Sequence, residues 1–262
     1  MPELPDVEYF RKIAKKALGK QVQLISINKS RILKTSTTTI RNHLKNKKIL
    51  STKRHGKLLF LQINDGYYLI LHFGMTGKLV YYNLNKKILE FNPNHLVIEL
   101  KLPDEKGLIY LNYRKFGKLD ITNSIKKYLE ENKIGKDALN YSKKEFKKLF
   151  EKSSQTIKSL LMDQNKIAGI GNIYSDEILF HAKIKPDRKI NNLNKKEIER
   201  VHKEMFNVLK KAIRYNVNLK KIPNFWLIHH RKKQETCPGC NGEIKQIKIN
   251  GRTGYYCPNC QK

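Results

Sequence analysis

The sequence predicts an α+β protein: a β-rich N-terminal domain with one leading helix, a helical domain, and a short four-cysteine hairpin. Three observations carry this. Apolar residues recur with a period of two around tight turns from about residue 21 to 120. Beyond residue 142 they recur with the helical period. All four cysteines fall within the last 26 residues.

In order, Val7, Phe10, Ile13, Ala14, Ala17 and Leu18 form the apolar stripe of one amphipathic helix over 6–18, which Gly19 ends. Runs 58–63 and 67–73 flank Asn64-Asp65-Gly66, and runs 95–102 and 108–113 flank a turn from Pro103 to Gly107. Both read as β-hairpins, and repeated short strands around tight turns predict an antiparallel sandwich or barrel. The charged stretch 123–141 reads as a linker between a domain at 1–122 and a helical domain at 142–234. Helices are expected at 142–152, with Ser142 and Glu145 as a capping box, and at 155–162, 172–181 and 194–215. Ile198, Val201, Met205, Val208, Leu209 and Ala212 mark the buried face of the last.

Residues 235–262 contain Cys237-Pro-Gly-Cys240 and Cys257-Pro-Asn-Cys260, sixteen residues apart. Paired Cys-x2-Cys knuckles at this separation fold four thiolates onto one tetrahedral Zn2+, a closed and therefore structural site. The competing readings are disulfides, disfavoured in a reducing compartment, and a redox dithiol, which needs one pair in a βαβ context. Between the knuckles, alternation over 243–249 and the Asn250-Gly251 turn predict a hairpin with Arg252 near its tip.

Lysine and arginine number 54 against 23 acids, a net charge of +31 spread over the whole length. Nucleic-acid phosphate or an anionic membrane surface would suit it. Part of the lysine is compositional drift, since Asn and Ile are also abundant. The chain contains no apolar run near 18 residues, and Glu3, Asp6 and Glu8 spoil a signal peptide, so an intracellular location, cytoplasmic or nucleoid-associated, is expected. The membrane reading also lacks an apolar helix face with a basic flank.

Five stretches suggest chemistry. At the start, removal of Met1 would leave Pro2 as a free secondary amine beside Glu3. An α-amino group titrates near about 8, far below lysine, so it can serve as a nucleophile near neutrality. The plain alternative is that Pro5-Asp6-Val7-Glu8 is only a helix start; the two are compatible. Lys57 lies at a strand start, a position where a lysine is usually a solvated face. In His72-Phe-Gly-Met75-Thr-Gly the glycines allow close backbone approach, and Met75 is either core or projecting. Arg114-Lys-Phe116-Gly pairs a cation with an aromatic, suited to wedging a base stack. In Gly169-Ile-Gly171-Asn172-Ile-Tyr174, a tight turn leads into a helix N-terminus where a phosphate could dock with Asn172.

Together, and in this order, these motifs and the terminal four-cysteine hairpin resemble the formamidopyrimidine-DNA glycosylase / endonuclease VIII family over essentially the full chain. The resemblance implies an N-terminal β-sandwich, a helix-two-turn-helix domain and a zinc-finger hairpin, working as a monomer on double-stranded DNA that contains oxidised bases or abasic sites. It implies that Pro2 attacks C1′ of a damaged nucleotide to form a Schiff base, with Glu3 as the proton-transferring acid. Lys57, His72, Asn172 and Arg252 match phosphate-holding positions, while Met75, Arg114 and Phe116 match residues that fill the vacated stack. Asp6 stands where many members have glutamate, a shorter carboxylate in a catalytic position. Asn165 replaces a lysine of some members, with Lys166 beside it. Only 21 residues separate Tyr215 from Cys237, whereas members acting on 8-oxoguanine usually carry a longer, glycine-rich segment there that closes over the flipped base. Oxidised purines such as formamidopyrimidines are the first expectation and oxidised pyrimidines the second. A non-catalytic zinc protein that binds nucleic acid by charge is the reading from another class, and the intact Pro2–Glu3 pair argues against it.

Overall fold

The computed structural model describes residues 1–28, 31–84, 91–151 and 154–262. The chain forms two units, one of residues 1–2 and 6–132, the other of residues 3–5 and 133–262. It passes from one to the other within the first turn of helix α1 (Leu4–Ala14).

The first unit contains β1 (Leu24–Ile27), α2 (Thr37–Leu44), β2 (Ile49–His55), β3 (Leu58–Ile63), β4 (Tyr68–His72), β5 (Gly77–Asn83), β6 (Leu96–Leu102), β7 (Lys106–Asn112), β8 (Lys118–Thr122) and α3 (Ile125–Glu131). The strands make two antiparallel four-stranded sheets, ordered β1-β6-β7-β5 and β2-β3-β4-β8. Period-two patterning explains the sandwich. Leu59, Leu61, Ile63, Leu69 and Leu71 of one sheet share a core with Leu79, Ile98, Leu100, Leu108 and Tyr110 of the other. Val7, Phe10 and Ala14 of α1 and Ala17 just beyond it join that core, Phe10 packing on Phe73 with ring centroids 4.4 Å apart.

Three expectations need correction here. The leading helix ends earlier: after Ala14 the chain tightens into a 3-10 turn, Lys15–Ala17, and Gly19 at φ +75° lets it turn away. Helix α2 interrupts the expected run of strands. Its sequence, Thr-Thr-Thr-Ile-Arg-Asn-His-Leu, has poor helix propensity, but the Ser36 hydroxyl caps it by accepting from Thr39 N at 3.0 Å, and Ile40 and Leu44 drop into the core. Within 123–141, read as a linker, the chain folds: α3 sets Tyr128 edge-on against Phe60 at 6.3 Å and so covers apolar surface on β3.

The second unit contains β9 (Lys136–Asp137), α4 (Lys143–Glu151), α5 (Ile157–Met162), β10 (Ile167–Ala168), α6 (Asn172–Ala182), α7 (Lys195–Arg214), β11 (Lys245–Ile249) and β12 (Arg252–Tyr256). Position 152 of the expected first helix lies outside the described residues; its capping box is present, with Ser142 N donating to Glu145 and Glu145 N to Ser142 Oγ. The core joins Phe146 and Phe150 of α4, Leu160 and Leu161 of α5, Ile178 and Leu179 of α6 and the expected face of α7; Leu4 is also part of it. Between α5 and α6 the chain makes two turns fastened by Gln164, whose side chain accepts from Gly169 N at 3.1 Å and donates to Ile170 O at 2.7 Å. The parallel pair β9-β10 closes its base. Strands β11 and β12 pair antiparallel around Asn250-Gly251, as the alternation predicts.

Candidate active site

Glu3 is the most constrained of the expected residues. It is 1% exposed, and both its oxygens are held by the N-terminus of α6. Gly171 N and Tyr174 N donate to Oε2 at 2.6 and 3.2 Å, and Ile173 N donates to Oε1 at 2.9 Å. A helix N-terminus leaves such N–H groups without intrahelical partners and favours an anion there. For the main-chain donors the expected phosphate dock is therefore corrected: the chain's own carboxylate takes them, which leaves the Asn172 side chain as the part of that expectation still open to a phosphate. The glycines have a specific cause. A Cβ on Gly171 would lie 2.5 Å from both Glu3 Cδ and Oε1, and one on Gly169 would lie 2.6 Å from Leu4 Cδ1. Leu4 N also donates to Gly169 O at 2.9 Å. The Gly-x-Gly turn is a seat for residues 3 and 4. Pro2 is joined to Glu3 and half-buried; Asp6 lies in the first turn of α1.

In the same unit as Glu3, Asn172 donates through Nδ2 to Thr253 O on β12 at 2.9 Å; among the described residues its buried Oδ1 has no hydrogen-bond partner. Arg252 is exposed beside the hairpin turn, with Nη1 4.0 Å from Met162 Sδ. Beneath the hairpin lies a network that sequence reasoning missed. Lys158 and Asp176, both fully buried, form an ion pair, and Asp176 Oδ2 also binds Arg231 and accepts from Tyr255 N at 3.0 Å. Burial pulls the Lys158 pKa down against the pull of Asp176. Gly254 passes directly over this pair: a Cβ there would lie 2.5 Å from Lys158 Nζ. Arg231 stacks on Tyr255 with its guanidinium carbon 5.0 Å from the ring centre. The available signal was a charge in a helix all of whose residues are buried, Ile-Lys-Ser-Leu-Leu-Met.

The other expected residues belong to the first unit. Lys57 is buried in the Gly56-Lys57 turn between β2 and β3, just ahead of the expected strand start, and Gly56 has φ +54°. The register pairs Leu58 with His72 and His72 with Lys118, so three cationic or titratable side chains meet at one end of this sheet. Burial, then the charges of Lys57 and Lys118, push the His72 imidazole down to about 4, which leaves it neutral at pH 7. Its buried Nδ1 has no hydrogen-bond partner among the described residues. Met75 and Phe116 are 42% and 47% exposed, large apolar groups set out on turns. Those turns are tied together: Arg114 N donates to Thr76 Oγ1 at 2.9 Å and Asn112 Nδ2 to Phe73 O at 3.0 Å. Gly74, at φ +58°, has no room for a side chain, since a Cβ would lie 2.5 Å from the Phe116 carbonyl carbon.

The cysteines suit zinc. Tetrahedral Zn–S bonds of about 2.3 Å place sulfurs about 3.8 Å apart. Here Cys237 and Cys260 Sγ are 3.8 Å apart, Cys240 and Cys257 Sγ 3.5 Å, and all four lie within 4.8 Å of one another. None is in a disulfide. Gln261 Nε2 donates to Ile184 O at 2.9 Å, tying the second knuckle to the end of α6.

The segment between α7 and the first knuckle is pinned down. Trp226 is 1% exposed in the helical core, and the Glu177 carboxylate accepts from Leu227 N at 3.0 Å and Ile228 N at 2.7 Å.

Comparisons with known proteins agree with this architecture. Residues 1–119 match the formamidopyrimidine-DNA glycosylase N-terminal domain, 134–222 the formamidopyrimidine-DNA glycosylase H2TH domain, and 234–262 the zinc finger found in FPG and IleRS. The chain is 34% identical to the formamidopyrimidine-DNA glycosylase of Mycoplasma genitalium, covering all of this chain and 96% of the relative. It is 32% identical to that of Lactococcus lactis subsp. cremoris, with full coverage of both. A crystal structure of the Lactococcus lactis enzyme non-covalently bound to DNA containing an AP site superposes with a TM-score of 0.88, at 32% identity and 99% coverage of both chains. Its complex with DNA containing FAPY-dG gives 0.87, at 31% identity and 99% and 100% coverage. With identity above 30% along its whole length, this chain belongs to the formamidopyrimidine-DNA glycosylase family.

Proposed function

We propose that this protein is a DNA glycosylase and AP lyase of base excision repair, acting as an intracellular monomer on double-stranded DNA with oxidised purines or abasic sites. The observation that carries this is the Glu3 carboxyl group, buried and held by three main-chain N–H groups one peptide bond from Pro2. No helix among the described residues is long and apolar enough to cross a membrane, and the +31 charge suits a polyanion.

With Met1 removed, the Pro2 nitrogen attacks C1′ of the damaged nucleotide, and the glycosidic bond breaks with its electrons leaving on the base. The Glu3 carboxylate takes the N–H proton that Pro2 loses as the N–C1′ bond forms and passes it to the sugar ring oxygen as the ring opens, while the departing base anion takes a proton from water. The product is an iminium, which a secondary amine cannot neutralise by losing an N–H proton. It therefore stays cationic and withdraws electrons through C2′. Loss of a C2′ proton expels the 3′ phosphate, and a second elimination expels the 5′ phosphate. C1′ is out of reach inside a duplex, so the nucleotide is everted at a cost of a few kcal/mol. Met75, Arg114 and Phe116 offset that cost by filling the gap, while Lys57, His72, Asn172 and Arg252 hold phosphates around it. Asp6 keeps a carboxylate in the first turn of α1, where its charge favours the helix start. Zinc, held by Cys237, Cys240, Cys257 and Cys260, fixes the hairpin that presents Arg252 and takes no part in the bond changes.

The short, pinned segment after α7 supports formamidopyrimidines over 8-oxoguanine as substrates, because it has little chain to fold over an everted base. Single-turnover rates on duplexes with one lesion each rank the candidates, oxidised pyrimidines included. Borohydride trapping tests the amine: a covalent adduct is expected with native protein and none with Pro2→Gly or with a retained N-terminal tag. Equal trapping by tagged protein would refute the mechanism.

A further inference from the structure

Phe116 projects 47% exposed from a turn, yet its ring is not without support. The Arg31 guanidinium carbon lies 4.8 Å from the ring centre and that of Arg114 5.1 Å, close enough for cation–π attraction from both. Arg31 also reaches the turn's backbone. Its Nε donates to Lys115 O at 3.3 Å and its Nη2 to Arg114 O at 3.4 Å. Between these carbonyls Lys115 sits at φ +52°, a left-handed conformation that a residue with a side chain holds only under constraint. Arg31 precedes α2, more than eighty residues from the turn, and no spacing rule connects them.

We propose that Arg31 is a positioning residue for base eversion: it clamps the 114–116 turn and holds the Phe116 ring and the Arg114 guanidinium ready to enter the base stack. The inference rests on the glycosylase reading above and adds a residue to it. A loose exposed phenyl would have to be ordered during insertion, and that entropy would be lost from the eversion step. A ring fixed beforehand against a planar guanidinium avoids the loss. Lysine cannot replace the clamp, because a single ammonium lacks both the planar stacking surface and the two-pronged donor geometry.

The test compares a lesion paired in a duplex, which needs eversion, with an abasic site in an unpaired bubble, which needs little. Arg31→Lys keeps the charge and Arg31→Met keeps much of the side-chain length. Both should cut the single-turnover rate on the paired lesion about tenfold and leave borohydride trapping in the bubble within about twofold. A 2-aminopurine beside the lesion should brighten more slowly on mixing with either variant, and the salt dependence of binding should not change. Three results overturn the proposal. Arg31→Lys at the native rate, with Arg31→Met weakened and the salt slope reduced by about one contact, would make Arg31 a phosphate ligand. Equal losses on both substrates would indicate general damage to the fold. Native protein that traps neither substrate would instead bring down the glycosylase reading itself, a distinguishable failure.

Discussion

Three side chains of the β unit and three carboxylates of the helical unit are held in opposite ways. In the β unit, Met75, Arg114 and Phe116 stand exposed on turns held by main-chain geometry that only Gly74, or a constrained Lys115, tolerates. In the helical unit three carboxylates are withdrawn from solvent and paired. Glu3 sits on the α6 N-terminus, Asp176 between Lys158 and Arg231, and Glu177 beneath the segment that follows α7. One unit sets these groups out toward solvent, and the other fixes its carboxylates against its own backbone. A presented group can be replaced at little cost to folding, whereas an anchored charge cannot lose its partner without being stranded.

The largest expected effect breaks the anchoring of Glu3. Gly171 has φ −132°, a conformation open to any residue, so Gly171→Ala acts through its methyl group alone, which would collide with the Glu3 carboxyl. Single-turnover cleavage should fall by about 10³, in the range for losing a positioned acid, while zinc content stays at one equivalent. A native rate in this variant would show that Glu3 does not need its seat.

Asp176→Asn comes next. The amide leaves buried Lys158 without its ion-pair partner and loosens Arg231 and the hairpin together. Such losses cost about 3–5 kcal/mol, measurable as a lower urea midpoint. Weaker DNA binding should accompany it, since Asn172 and Arg252 lie on the same frame.

Much of this was legible in the sequence. Period-two runs located the hairpins of the sandwich because one face of each strand is apolar, and cysteine spacing located the zinc site because knuckle geometry is local. The anchoring network was not legible. Lys158, Asp176 and Arg231 are 18 and 55 residues apart and meet only in the folded core. The helix start after Gly171 looked like a phosphate dock because a helix N-terminus attracts any anion, and nothing local says that the anion is the chain's own Glu3. Helix α2 was hidden by its three threonines, which favour strands until a cap and two core contacts outweigh them.

His72 probes burial in the β unit, where the buried group is neutral rather than paired. Its pKa is about 4 in the folded protein against 6.5 unfolded. Between these values the unfolded chain binds the proton more readily, so the stability from this site is complete above pH 6.5 and is lost as pH falls toward 4. The full effect is at most about 3 kcal/mol, reduced by solvent screening. Urea midpoints at pH 5 and pH 7 should differ less in His72→Gln than in the native protein. An unchanged difference would place that pH dependence elsewhere.

The smallest effect supplies the baseline for the comparison, because each unit has a capped helix. Ser36 caps α2 through one hydrogen bond; Asn194 caps α7 by accepting from Glu197 N at 3.0 Å, and Glu197 returns the contact to Asn194 N at 2.9 Å. A cap removed by alanine typically costs about 1 kcal/mol, because one N–H donor loses its protein acceptor but stays within reach of water. Ser36→Ala and Asn194→Ala should therefore fall close together in urea unfolding, with Asn194→Ala the larger by the share of the reciprocal bond that weakens with it. Both should lie well below Asp176→Asn. If Asn194→Ala costs as much as the buried aspartate, the helical unit is sensitive at its solvent-exposed helix ends as well as at its buried charges, and the contrast between presenting and anchoring fails. If the two caps match, the units differ where the structure places the difference, in whether a charged side chain has been taken out of water with its partner.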